Sequence, residues 1–206
     1  MDPLPVTRPA RSGQVLPLPA GGVPVEQLVA RTLGGDRSAE GLLYRRYAPG
    51  VLAMAGRLLQ STTSAEDVVH DAFIIAFGRL RQLADPAQFR GWLVTIVVSL
   101  VRRRLRRERL LRFVGLDGEP ESTLERFARP GTTVEARGEL ALLGDTLRAL
   151  PADLRLAWGL RYVEGEKLED VAAHLNKSLS TTKRYLAEAE ARITARVSVA
   201  PPDGVS

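Results

Sequence analysis

A chain of 206 residues with 29 Lys and Arg against 24 Asp and Glu carries a formal net charge of +5, and its hydrophobic fraction of 45% suits a folded protein of one domain or two small ones. The lack of cysteine excludes disulfides, thiolate nucleophiles and cysteine-based zinc sites, and two histidines, His70 and His174, are too few for a histidine-rich metal site, so no cofactor is expected. The longest apolar candidate, Trp92 to Val101, is interrupted by Thr95 and Ser99 and falls short of the roughly 18 to 20 residues that span a bilayer, which points to a soluble cytoplasmic protein without membrane insertion.

Residues 1–23 carry Pro3, Pro5, Pro9, Pro17 and Pro19 with Gly13, Gly21 and Gly22, which oppose helix and sheet; they are expected to form a flexible leader and do not resemble a secretory signal. A first helix is predicted from Pro24 to about Leu33, ended by the Gly34-Gly35 pair. The next, with Leu42, Leu43, Tyr47, Val51, Leu52, Met54, Leu58 and Leu59 at helical spacing, is expected to bend around Pro49-Gly50. A third helix takes Ser64 as its start signal, with Asp67 reaching back to complete a short-acid capping box. Val69, Ala72, Phe73, Ala76 and Leu80 form its inner stripe. Glu66, Asp67, His70 and Asp71 fall on the other side with Ile74 beside them, leaving an acidic, partly apolar patch for solvent or a protein partner. Acid/base catalysis by these groups finds no nucleophile, metal set or phosphate loop to work with.

The stretch from Asp85 to Arg112 is the most informative. Phe89, Arg90 and Trp92 stand at the entrance of a helix whose inner face is Leu93, Ile96, Val97, Leu100, Val101 and Leu105. That helix runs into Arg102, Arg103, Arg104, Arg106, Arg107, Arg109 and Arg112, seven cations against the single Glu108, a density that must face solvent or a polyanion. Opened nucleic acid suits this combination, because guanidinium groups meet phosphates while an aromatic ring stacks on a splayed base.

From Arg112 to Thr133 the periodicity fails among glycines, prolines and acids, so a linker is placed at 112–133 between a domain at 24–111 and a second at 134–197, with a short tail at 198–206. In the second domain one helix carries Leu140, Leu143, Leu147 and Leu150, and another runs from Pro151 to Glu164 with Trp158 and Tyr162 as core or boundary aromatics. A third helix ends at Leu175-Asn176, Leu179 is expected to plug the angle, and Ser180 or Thr181 to start the last helix, whose inner stripe is Thr182, Leu186, Ala189 and Ile193. This is a helix-turn-helix pattern that leaves Ser180, Thr181, Lys183, Arg184 and Tyr185 outward, with His174 in a structural place. The fold class is therefore all-α: two small helical domains joined by a linker, the second ending in a helix-turn-helix.

Four segments in order, "LLYRRYAPGVLAMAGRLL", "AEDVVHDAFIIAFGRL", "FRGWLVTIVVSLVRRRLRR" and "LPADLRLAWGLRYVEGEKLEDVAAHLNKSLSTTKRYL", carry a resemblance. The chain resembles the extracytoplasmic-function group of bacterial sigma-70 initiation factors over about Ala39 to Arg112 and Thr133 to Ile193. The resemblance implies a non-enzymatic protein that binds bacterial core RNA polymerase, directs it to promoter DNA and assists melting, with an anti-sigma factor as a further partner. It implies core-polymerase binding through Asp67, His70, Asp71 and Ile74, and contact with the minus-ten element through Phe89, Arg90, Trp92, Arg102, Arg103 and Arg106. Ser180, Thr181, Lys183 and Arg184 then match the positions that read the minus-thirty-five element.

Departures from the pattern are also visible. Thr95, Val98 and Ser99 stand where the family commonly has polar or basic residues, His70 and Asp71 replace a common Gln and Glu, Tyr185 replaces a frequent Arg, and Glu188 and Glu190 fall in the customary basic tail. A sigma-like DNA-binding regulator or adaptor that does not direct initiation is the competing reading. A helical RNA-modifying enzyme finds no active-site set in the sequence.

Overall fold

A computed structural model describes residues 22–114 and 134–197, the side chains of 134–141 and of residue 197 excepted. The leader up to residue 21, residues 115–133 of the linker expected at 112–133, and the tail from 198 lie outside the described residues. Among the described residues every regular element is helical.

Helix α1 (Val25–Leu33) starts after Pro24, whose missing N–H falls where a helix has no intrahelical acceptor to offer, and it ends at Gly34 with Gly35 at φ 88°. Asp36 joins it to α2 (Arg37–Leu59). One oxygen of its carboxylate accepts from the N–H groups of Ser38 and Ala39 at 2.8 and 3.3 Å, and the other takes Arg31 Nε and Nη2 at 2.9 and 2.7 Å. The expected bend does not divide this element: α2 continues through the exposed Pro49 to Leu59. Gln60 then closes it in the left-handed conformation at φ 56°.

That close places the start of α3 (Thr62–Gly78) one turn earlier than the sequence pattern suggested. Ser61, and not Ser64, is the cap; its Oγ accepts from the Ser64 N–H at 3.2 Å. Both serines precede the apolar stripe by suitable intervals, and the abrupt end of α2 selects the first. Ser64 is buried inside the first turn, where its hydroxyl accepts from Arg104 Nη2 at 2.9 Å. Two 3-10 turns, Leu80–Gln82 and Pro86–Gln88, lead into α4 (Phe89–Phe113), a 25-residue helix about 37 Å long at 1.5 Å per residue. It outruns the expected domain end at Leu111.

The second half contains α5 (Val134–Ala149), α6 (Ala152–Trp158), α7 (Leu168–Leu175) and α8 (Leu179–Val197). Between α6 and α7 a π-helical turn, Gly159–Val163, widens the helix, which 3.6-residue periodicity does not reveal. Asn176 takes the left-handed conformation at φ 51° that ends α7, as its residue type suggested. Two local expectations need correction. Ser178 caps α8, its Oγ accepting from the Thr181 N–H at 3.1 Å, so Ser180 and Thr181 lie inside the helix; Leu179 is 44% exposed and plugs nothing. Tyr162 is likewise outward, donating its hydroxyl to Glu190.

The inner face expected for α4, Leu93, Ile96, Val97, Leu100, Val101 and Leu105, is buried, and so are Val94 and Val98. This helix is covered on two sides because one apolar cluster runs from α1 to α4 and on through Leu156, Ala157, Leu160, Val171, Leu175 and Leu186 of the second half. A smaller cluster of Leu147, Leu150, Leu154 and Ala189, with Trp158 and Ile193 against it, holds α5, α6 and α8 together. Gly159 allows the π turn to approach α2 closely: a Cβ there would stand 2.6 Å from Leu58 Cδ2.

Candidate nucleic-acid interface

Three surfaces contain the residues singled out by the sequence. On α3, Asp67, His70 and Asp71 are exposed and Ile74 is 59% exposed. Beneath them Phe73 packs between Tyr44 and Phe77, with ring centroids 4.7 and 5.6 Å away, so the patch sits on a rigid aromatic base. Anionic groups beside an uncovered isoleucine give this face the composition of a protein-docking surface more than of a nucleic-acid one.

On α4 the residues divide by burial. Phe89 is 0% exposed, with Tyr47 and Trp92 ring centroids at 5.2 and 6.3 Å; its ring belongs to the core and, as it stands, offers no face to a base. Trp92 is half-buried beside it. Arg103 is exposed, as are Arg107 and Arg109. Arg90, Arg102 and Arg106 instead meet carboxylates of the second half. Arg90 Nη2 lies 3.4 Å from Glu166 Oε1, Arg102 Nε 2.8 Å from Asp153 Oδ1, and Arg106 Nη2 3.1 Å from Asp153 Oδ2. Arg102 Nη2 also donates to the Leu175 carbonyl at 2.9 Å. Burial lowers the pKa of Arg102, opposed by Asp153, and burial raises that of Glu166, opposed by Arg90.

Between these pairs Thr95 Oγ1 lies 2.9 Å from His174 Nδ1 and 3.0 Å from the Gly91 carbonyl. A hydroxyl has one proton to donate, so when it goes to Gly91, the Nδ1–H of a neutral His174 completes the pair. Burial, reinforced by the positive charge of Arg90, pushes the His174 pKa down to about 4 and keeps the ring neutral at pH 7.

On α8, Ser180, Lys183 and Arg184 are exposed and Thr181 is half-buried, while Thr182, Leu186 and Ala189 face inward. The helix thus presents one polar, basic edge opposite its packing stripe, as a groove-reading helix requires. Tyr185 is half-buried with the Arg184 guanidinium 5.8 Å from its ring centroid. Glu188 is engaged by Arg192 at 2.7 Å, and Glu190 accepts from Tyr162.

Residues 43–110, which span most of α2, all of α3 and nearly all of α4, match the family Sigma-70 region 2. The RNA polymerase sigma-H factor of Pseudomonas aeruginosa is 29% identical over 176 residues, covering 82% of this chain and 91% of that protein. Over residues 43–110 this chain therefore carries the second conserved region of the sigma-70 family. The ECF RNA polymerase sigma-E factor of Escherichia coli is 28% identical over 82% of this chain and 92% of that protein. Among solved structures, CnrH in complex with the cytosolic domain of CnrY is 28% identical with a TM-score of 0.57, covering 85% of this chain and 98% of that one. The sigma factor RpoE of Bartonella quintana, solved with the anti-sigma factor NepR, shares the fold at 24% identity and a TM-score of 0.56 over 77% of this chain and 96% of that one.

The carboxylates that join the two halves are not among the residues singled out by sequence pattern. Besides Asp153 and Glu166, Glu164 takes Arg57 of α2 in a bidentate pair at 2.7 and 2.6 Å, and Gln60 Nε2 donates to the Gly144 carbonyl at 3.1 Å. Arg155, 4% exposed between Leu154 and Leu156, is the most deeply buried cation described; burial lowers its pKa to about 10, which leaves it charged at pH 7. Only the apolar neighbours of Arg155 hinted at its burial, and acids separated from their partners by up to 107 residues leave no local signal.

Proposed function

We propose that the chain is a promoter-specific initiation factor that binds core RNA polymerase through α3, contacts the minus-ten element along α4 and the minus-thirty-five element through α8. The observation that carries this is the coincidence of the Sigma-70 region 2 match with the three helices that expose the α3 patch and the α4 arginines. Asp67, His70, Asp71 and Ile74 would form the polymerase contact. Arg90, Trp92, Arg102, Arg103 and Arg106 would serve the minus-ten contact, with Phe89 holding the entrance of α4 from within the core. Ser180, Thr181, Lys183 and Arg184 would read the upstream element, where phosphate contacts set affinity and a few base-edge contacts set selection. The factor itself makes no covalent bond.

Relatives solved with CnrY and with the anti-sigma factor NepR support an anti-sigma partner for this chain as well, and a factor that acts on bacterial polymerase would work in the cytoplasm. No helix among the described residues is long and apolar enough to cross a membrane.

The test is direct. Purified protein mixed with bacterial core polymerase is expected to co-elute on gel filtration and to support run-off transcription from a promoter selected from genomic fragments. Asp67→Ala with Ile74→Ala should weaken polymerase binding about tenfold or more while the circular dichroism spectrum stays unchanged, since both side chains are outward and their loss disturbs no core contact. DNA binding without any polymerase association would instead favour the regulator reading.

A further inference from the structure

We infer that Leu179 is a specificity-determining residue whose side chain seats against the C5-methyl group of one thymine in the upstream element. The inference rests on the reading of α8 as the helix that enters the minus-thirty-five element.

Residues 176–180 form the exposed tip of the helix-turn-helix. Asn176, Lys177, Ser178 and Ser180 are polar; Leu179 is the one apolar side chain among them, 44% exposed and part of neither apolar cluster described above. The tip is held in place by its own hydrogen bonds. Ser178 Oγ accepts from the Thr181 N–H at 3.1 Å and donates to Thr181 Oγ1 at 2.9 Å. The Ser178 carbonyl accepts from both the N–H and the hydroxyl of Thr182, at 2.9 and 3.0 Å, and Thr182 itself is 0% exposed. The first turn of α8 is thereby pinned to the interior through Thr182. Leu179 opens that turn, beside Ser180 and one turn ahead of the exposed Lys183.

A lone leucine on a protein surface is ordinary. At the leading turn of a groove-reading helix it stands where side chains meet base edges. The major groove presents hydrogen-bond donors and acceptors and a single apolar feature, the thymine methyl group. A leucine placed on a donor or acceptor displaces water and returns no hydrogen bond, which disfavours that base. Placed on a thymine it covers the methyl group, and covering one such group is worth about fourfold in affinity. Lys183 offers the opposite chemistry one turn on, a cation for phosphate or for a guanine edge.

The experiment uses holoenzyme reconstituted from the full chain and core polymerase, with a promoter fragment that this holoenzyme recovers from genomic DNA. Each thymine of the upstream element, on either strand, is replaced in turn by deoxyuridine, which removes the methyl group and keeps every hydrogen-bonding atom. At one position the replacement is expected to weaken binding about fourfold for the original chain and to have no effect with Leu179→Ala. Leu179→Gln, which keeps the volume without the apolar surface, should behave like alanine, and Leu179→Met should retain the discrimination. An element in which no deoxyuridine weakens binding, or a deoxyuridine effect that Leu179→Ala and Leu179→Gln both leave intact, overturns the inference. Lys183→Ala with Arg184→Ala on the same fragment tells that failure from a failure of the underlying reading. A loss of binding of about tenfold in this pair keeps α8 as the DNA-reading helix and removes the role of Leu179 alone; unchanged binding in the pair overturns the reading of α8 and the inference with it.

Discussion

Phe89 and Arg103 sit fourteen residues apart on α4 and serve opposite ends of its chemistry. The first is sealed against Tyr47 and Trp92, the second is open to solvent. Truncating Phe89 to alanine removes a fully buried ring and leaves a cavity, so the variant should lose about 3 to 5 kcal/mol of stability in urea titrations. Arg103→Ala should change stability by no more than about 0.5 kcal/mol. A small loss for Phe89→Ala would mean that the ring is not the core anchor described. Burial separates these two residues; sequence position alone made both look like surface contacts.

The contact between α4 and α7 has a pH dependence of its own. His174 is buried against Thr95 and near Arg90, and its pKa drops from 6.5 to about 4 in the folded chain. Above pH 6.5 both folded and unfolded forms are neutral there and its full contribution to stability is present. As pH falls toward 4 the unfolded chain takes up a proton that the folded chain refuses, so stability declines, by about 3 kcal/mol at 1.36 kcal/mol per unit, and levels off below 4. Glu166 on the same contact works the other way: burial raises its pKa, and protonating it relieves a buried charge. Comparing urea midpoints of the original chain and His174→Gln across this range isolates the histidine. The difference between them should narrow as pH falls; a constant difference would show that His174 titrates as it does in water.

The two tryptophans allow the whole molecule to be tested, because Trp92 reports on the first half and Trp158 on the second. An apolar cluster that passes from α4 into α6 and α7 couples the halves, so single-tryptophan variants, Trp158→Phe and Trp92→Phe, should unfold with coincident midpoints at low salt. Separate midpoints would mean that the halves fold independently and that their contact is weak. The sequence by itself determined the helices, because apolar spacing, the Gly34-Gly35 pair and Asn176 act over a few residues; it also determined the inner stripe of α4 and the outward faces of α3 and α8. It missed which serine begins α3 and α8, since neighbouring candidates satisfy the same local pattern. Only the tertiary structure decided that Phe89 is core, that Arg155 is buried and that Asp153, Glu164 and Glu166 lie on the arginines of the first half. Those contacts join residues tens of positions apart, and an ion pair at such a distance depends on where the backbone goes, which no local periodicity encodes.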